Sequence, residues 1–324
     1  MSLLGKSVSI TRFNVGMPPA PDWGKLRFYE IEQGSEVRER VGIVPFDFDD
    51  LLFTDVGSPY HIGMARWVFR LRVDKRTPDA TAVKERVRQL VKVEVDAGVG
   101  VTPKKRRQFK TLAEAESLLG QKPKTTLVEC VIEKGVLYVA STAKSLLGLV
   151  VSTLRQAGIV TELKTPWLDE APPEGVDASD IVDVKEPGQS VLGCRFFSAL
   201  MEDPEVMVEP EAGSVHLRTR EAGLRLSGAV LNDLHRYVEE GAEVLSAKII
   251  LGAVPMRFDA FSYRISGMKL GDLQGERWHE RLNQRLEQLT AIWGKLDEKY
   301  AATVQKTYTF AEGSLENDDA RELI

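Results

Sequence analysis

The chain has 324 residues, 43% of them hydrophobic and 28% charged, with a net charge of −5. This composition excludes a mainly disordered polypeptide and, at roughly 100–200 residues per domain, suggests about two domains. Two cysteines, Cys130 and Cys194, lie far apart in apolar sequence, which predicts buried free thiols of a reducing compartment and excludes a CxxC metal site.

In chain order, Ser7–Phe13 (SVSITRF) alternates as a strand, and Pro18, Pro19 and Pro21 force an irregular connection after it. Gly42–Phe46 and Trp67–Val73 read as two further strands, the second placing Arg70 and Arg72 on the face opposite Val68. Thr77 followed by Pro78 signals a helix start with a capping hydroxyl. Val83, Val87, Leu90, Val91 and Glu94 then recur at helical spacing, with Lys84, Arg88 and Lys92 on a neighbouring stripe and Gly98 and Gly100 ending the run. Thr102 and Pro103 repeat the start signal, and Phe109, Leu112, Ala113 and Leu119 mark the inner side of a second helix, antiparallel to the first. Thr125–Glu133, the Lys134-Gly135 turn and Val136–Ala140 form a hairpin signal. A helix from Ala143 to Ala157, capped by Thr142 and stopped by Gly158, leads to a strand at Ile159–Leu163.

An acidic, proline-rich linker is expected over 166–186. Beyond it a helix is predicted at Val191–Met201, a strand at Ser214–Arg218, a helix at Ser227–Glu240, paired strands at Val244–Leu251 and Met256–Ile265, and one long helix from about Gly275 to Thr307. Strands and helices alternate without a βαβ rhythm, so the fold class is α+β, with mixed or antiparallel sheets and a protruding basic helical pair. The expected parts are 1–76 with 125–165 as a central α+β domain, 77–124 as a basic helical tip, 187–310 as a C-terminal α+β domain, and 311–324 as a disordered acidic tail. No stretch reaches the roughly 18 uncharged apolar residues of a membrane helix, since Lys144 interrupts Val136–Val151. The N-terminal MSLLGKSVSITRF has no signal-peptide core, so a cytoplasmic location is expected.

Charge is distributed unevenly. Between Arg66 and Lys110 fourteen basic residues stand against five acidic ones, a local +9 that leaves −14 for the rest, and screening makes a polyanion respond to the local patch. Lys104, Lys105, Arg106 and Arg107 open the second helix, where phosphates also meet free backbone N–H groups, and Arg70, Arg72, Lys75, Arg76, Arg88 and Lys92 lie within two elements of them. A solvated helical face is the plain alternative, but such faces intersperse both signs. With no base-reading motif, the pattern implies sequence-independent contact with nucleic-acid backbone.

Catalytic motifs are absent: no GxSxG, HExxH, P-loop or strand-led GxGxxG occurs. His61, His216, His235 and His279 are scattered and read as surface or structural residues. Asp47, Asp49 and Asp50 in PFDFDD suit a loop or a helix cap better than a metal site, and a metal-dependent nuclease built on them is the alternative function. A protein-interaction scaffold is the third. No cofactor is expected.

In order along the chain, SVSITRF, RVGIVPFDFDD, RVDKRTPDATAVKERVRQLVKVEVDAGVGVTPKKRRQFKTLAEAESLL, VLYVASTAKSLLGLVVSTLRQAG, SVLGCRFFSALMED, VLSAKIILG and FSYRISGMKL resemble successive segments of the RdgC family, the bacterial recombination-associated proteins. The resemblance implies a non-enzymatic, multidomain α+β subunit. It would form a ring-shaped homodimer, encircle double-stranded DNA without sequence preference and restrain RecA-promoted recombination. Carried over by position, it implies DNA contacts from Lys84, Arg88, Lys92, Lys104, Lys105, Arg106, Arg107 and Lys110. Where the family has an Arg- and Phe-containing fingertip after the second helix, this chain has Leu118-Leu119-Gly120-Gln121-Lys122-Pro123-Lys124, in which Lys122 and Lys124 keep the charge.

Overall fold

The computed structural model describes residues 2–32, 34–46, 66–169, 189–209, 214–219, 222–228 and 231–318. It is an α+β fold with a large antiparallel sheet. The chain forms two compact units: Met1–Gly16, Val131–Leu147 and Thr161–Ile324 make one, and Met17–Cys130 with Gly148–Val160 makes the other. This differs from the expected partition. The N-terminal strand and the hairpin's turn and second strand belong with the chain beyond 187: β1 (Ser7–Gly16) pairs antiparallel with β5 (Val136–Val139) and with β12 (Arg264–Lys269).

In the first unit the strand order is β5-β1-β12-β11-β10-β8-β9, with β11 at Val254–Asp259, β10 at Glu243–Leu251, β8 at Ser214–Arg218 and β9 at Gly223–Ser227. β6 (Val160–Leu163) pairs with β1, and β7 (Val206–Val208) with β10. A bulge between Val244 and Ser246 changes the parity of β10, so Val244 is buried before it and Ala247, Ile249 and Leu251 after it. Lys134 and Gly135 both take positive φ, 49° and 77°, the backbone a two-residue hairpin turn requires. Met256–Ile265 is not one strand. It breaks at 260–263, where Tyr263 adopts φ 50° and its ring is locked among Phe196, Phe258, Trp167 and Trp293.

Helix α5 (Val191–Glu202), capped by the Ser190 hydroxyl accepting from the Leu192 N–H, and helix α7 (Trp278–Asp318) supply the other rings of this core. Leu282, Leu286, Leu289, Trp293, Leu296 and Tyr300 are buried along α7, as their spacing predicts. The helix continues past the expected end at Thr307 to Asp318, so 311–318 are helical rather than a disordered tail. Ser227 ends β9 instead of capping a helix, and α6 begins at Leu231 and runs to Glu239. The linker expected over 166–186 opens with a helical turn, α4 (Pro166–Asp169), and its remainder lies outside the described residues.

Gly193 lets α5 approach the 260–263 turn: a Cβ there would overlap the Ala260 carbonyl and stand 3.0 Å from the Trp167 ring. The obstacle is backbone and cannot swing aside. Gly193→Ala is therefore expected to lower stability by about 1–3 kcal/mol, as overpacking does, read as a fall in the urea midpoint at unchanged m-value.

In the second unit β3 (Arg66–Lys75) lies between β2 (Glu39–Pro45) and β4 (Lys124–Glu133), whose residues to Cys130 belong here. Gly42 sits against the backbone of Phe28, where a Cβ would come within 2.5 Å of the Phe28 Cα. The β2–β3 register is unbroken from Glu39↔Lys75 to Pro45↔Phe69. It buries Phe69, Leu71 and Val73 on one face and turns Arg70, Arg72 and Asp74 to the other. Period-two alternation thus puts Val68 with the arginines, not opposite them. Residues 148–160 add the greater part of α3 (Lys144–Gln156), which buries Val150, Thr153 and Leu154.

Both cysteines are buried free thiols. Burial raises each thiol pKa, that of Cys194 to about 12, so neither is a nucleophile at neutral pH.

Candidate nucleic-acid interface

The basic segment folds as α1 (Ala80–Asp96) and α2 (Pro103–Leu119). α1 is capped by Asp79, not Thr77: its carboxylate accepts from the N–H groups of Thr81 and Ala82 at 2.8 and 3.3 Å. Pro78 precedes the cap, and Asp79, directly before the first turn, places its carboxylate on the free donors. Gly98, at φ 74°, ends the run. Thr102 caps α2 as expected, accepting from Lys105 N–H, with Pro103 at the first helical position.

The two helices run antiparallel. Asp79 N–H donates to Ser117 Oγ at 3.0 Å, Arg86 bridges Glu116 at 2.6 Å, and Lys105 bridges Glu94 at 2.5 Å. Val83 of α1 and Ala113 and Leu118 of α2 are buried. Leu112 and Leu119, expected inside, are 47% and 42% exposed, whereas Ala113 is buried as expected and Leu118 is buried in place of its neighbour Leu119. The pair is inserted between adjacent strands β3 and β4, with its free end at 97–102. The segment 118–124 therefore lies at the base of the pair rather than at its tip, and there Lys122 and Lys124 are exposed.

The structure gathers five of the implied contacts around one open groove of about 370 Å³: Lys84 and Arg88 from α1, and Arg106, Arg107 and Lys110 from α2, over a floor of Val83 and Val87. All five are exposed. Lys110 lies 3.8 Å from Glu114, whereas Lys84, Arg88, Arg106 and Arg107 have no carboxylate within ion-pair distance among the described residues. Lys92 and Lys104 are exposed on the same helices. The apolar floor was not singled out in the sequence, although Val83 and Val87 stand one residue before Lys84 and Arg88 at the same four-residue spacing.

Other cations of the segment are committed within the fold. Arg76 is buried and donates to the backbone carbonyls of Ser35, Glu32 and Ile31. Lys75 pairs with Glu39 and Lys105 with Glu94. Arg70 stacks over Phe46 at 5.4 Å. Arg72 lies over the Phe28 ring at 4.4 Å and forms a two-point pair with Asp74, which also accepts from the Thr125 hydroxyl at 2.8 Å.

Burial raises the Asp74 pKa, but the hydrogen bonds from Arg72 and Thr125 outweigh it and hold the carboxyl below its ordinary value. A depressed carboxyl pKa stabilises the folded chain above the unfolded value near ~3.9 and loses that contribution as pH falls through the folded pKa. Asp74→Asn is expected to cost roughly 1.5–3 kcal/mol at neutral pH. Urea titrations should show the gap between wild type and variant closing below about pH 4; a gap independent of pH would contradict this account.

Asp47, Asp49, Asp50 and His61 lie outside the described residues. Among the described residues no group of three or more His, Cys, Asp or Glu side chains is placed to hold a metal ion, and no helix is long and apolar enough to cross a membrane. No family model matches the chain, and no curated protein matches it.

Proposed function

We propose that the protein binds double-stranded DNA through its phosphate backbone, without base readout, using the α1–α2 pair as the contact element. The observation that carries this reading is the groove in which Lys84, Arg88, Arg106 and Arg107, contributed by two helices and without an ion pair among the described residues, converge with Lys110. Regularly spaced cations of this kind neutralise phosphates and release counterions, and they carry no sequence information. The resemblance to the RdgC family supports the finer statement: a multidomain subunit that closes as a homodimer around the duplex and restrains RecA-dependent recombination, with closure supplying residence time. The protein is not an enzyme in this reading.

A second reading draws on the apolar floor. Val83 and Val87 beneath a basic rim suit an acidic amphipathic segment of a partner protein. Fluorescence anisotropy with duplexes of unrelated sequence tests the first reading: affinities equal within about twofold are expected, with a steep loss on adding salt. Nuclease action is tested in the same mixture by adding magnesium and following cleavage of linear and circular duplexes. Strong preference for one sequence, or no binding at low salt, would overturn the proposal. Sedimentation of the free chain tests the dimer.

A further inference from the structure

The floor of the α1–α2 groove differs in chemistry from its rim. Val83 is 7% exposed and Val87 half-buried, and the five cations stand around them. Every polar side chain lining the groove is therefore a donor, because ammonium and guanidinium groups carry N–H bonds and accept nothing. The backbone adds no acceptor. Val83 and Val87 lie inside α1, and the cations of the far wall lie inside α2, where each carbonyl already accepts from the N–H four residues on. Glu114 pairs with Lys110 and with Arg38 and is not part of the lining. Among the described residues the groove thus offers donors above, methyl groups below, and no acceptor.

A nucleic-acid strand brings two kinds of atom to such a groove. Its phosphate oxygens accept, and they match the rim. At about 370 Å³ the space is about twelve times the ~30 Å³ share of one water, so phosphates held at the rim leave room for the sugar between them to come down onto the valines. Deoxyribose presents only C–H groups at its 2′ carbon, and covering them with valine methyls removes apolar surface from water. Ribose presents a hydroxyl there, both donor and acceptor. Its oxygen can accept from an arginine, but its proton loses water and meets no acceptor, which is the costly outcome for a polar group.

We propose that the floor of Val83 and Val87 makes the groove selective for a deoxyribose backbone, so that the protein tells DNA from RNA without reading a base. This rests on the groove being the phosphate contact and adds the sugar as the group selected. The selection comes from what the floor lacks, and it acts equally at every nucleotide that crosses the groove.

Anisotropy titrations of the full chain at one low salt concentration test this with three duplexes of the same sequence: DNA, RNA, and RNA carrying fluorine in place of each 2′-hydroxyl. The fluorinated duplex keeps the A-form of RNA but has no 2′ O–H, so it separates the floor from helix shape. RNA is expected to bind at least about tenfold more weakly than DNA, and the fluorinated duplex within about threefold of DNA. Val87→Thr places a hydroxyl on the floor, whose proton the Val83 carbonyl one turn back can accept, leaving its oxygen free to accept in turn. RNA affinity is expected to rise at least about threefold in this variant, whereas Val87→Ala, which adds no acceptor, is expected to give no gain. Failure to bind duplex DNA would remove the reading of the groove itself. With DNA bound, a fluorinated duplex as weak as RNA, or no gain in RNA affinity in Val87→Thr, would overturn selection by the sugar. Equal binding of DNA and RNA would do the same, and displacement of both by polyglutamate would then assign the groove to an acidic protein partner.

Discussion

Replacing Lys84, Arg88, Arg106 and Arg107 together by alanine is expected to make the salt dependence of duplex binding shallower by about 3.6 in the slope of log K against log salt, at ~0.9 per phosphate contact. Between about 50 and 200 mM salt the wild-type chain should then lose about two decades more affinity than the variant. All duplex sequences should be affected alike, because the lost contacts are to backbone. The four side chains are exposed, so the thermal midpoint should hardly move. Lys105→Ala is the internal control. Lys105 belongs to the same basic run, but Glu94 already neutralises it, so its removal should leave the slope within about 0.5 of wild type. Filter binding at four or five salt concentrations reads both. A quadruple variant with the wild-type slope would remove the groove from any account of DNA contact.

Asp297→Ala is expected to destabilise the first unit by about 3 kcal/mol, because it strands a buried cation. Arg12 is only 5% exposed, and both of its terminal nitrogens donate to Asp297, at 3.0 and 2.9 Å. The guanidinium lies 4.0 Å from the centroid of the Trp293 ring, and the Tyr263 hydroxyl donates to the same carboxylate at 2.8 Å. Burial and then the Asp297 charge raise the Tyr263 pKa well above its usual value, so the hydroxyl remains a donor. Breaking such a pair from one side costs ~3–5 kcal/mol; the lower end applies because Asp297 keeps contact with solvent. Asp297→Asn, which retains an acceptor for the hydroxyl, should cost about half as much. Urea unfolding monitored by tryptophan fluorescence measures both, and a loss below about 1 kcal/mol for Asp297→Ala would mean that water reaches Arg12 more freely than its burial indicates.

Elements with a strong local signature were legible in the sequence. The Thr102-Pro103 start, the Lys134-Gly135 turn and the leucine and tryptophan spacing of the terminal helix all lie where periodicity and capping chemistry put them. Hydrophobicity alone misplaced residues where tertiary packing decides which face is covered, as in α2, which buries Ala113 as expected but takes Leu118 inside and leaves Leu112 and Leu119 outside. The commitment of Arg72 to Asp74 was readable in principle, since residues two apart share a strand face. The row of His216, Ser246, Asp259 and Arg264, one from each of β8, β10, β11 and β12, was not readable. It is assembled by register across four strands, and no local pattern encodes which residues of distant strands stand level.

The manner in which α1 and α2 join the second unit has a consequence for how the protein can vary. Both feet of the pair meet at one place, where Asp79 is tied to Ser117 and Asp74 to Thr125, so the arm leaves and rejoins the sheet at neighbouring strands. One extra turn in each helix would extend its reach by ~5.4 Å without altering a single strand register. The span over which such a protein can grip a polyanion is thus adjustable independently of the scaffold that folds it.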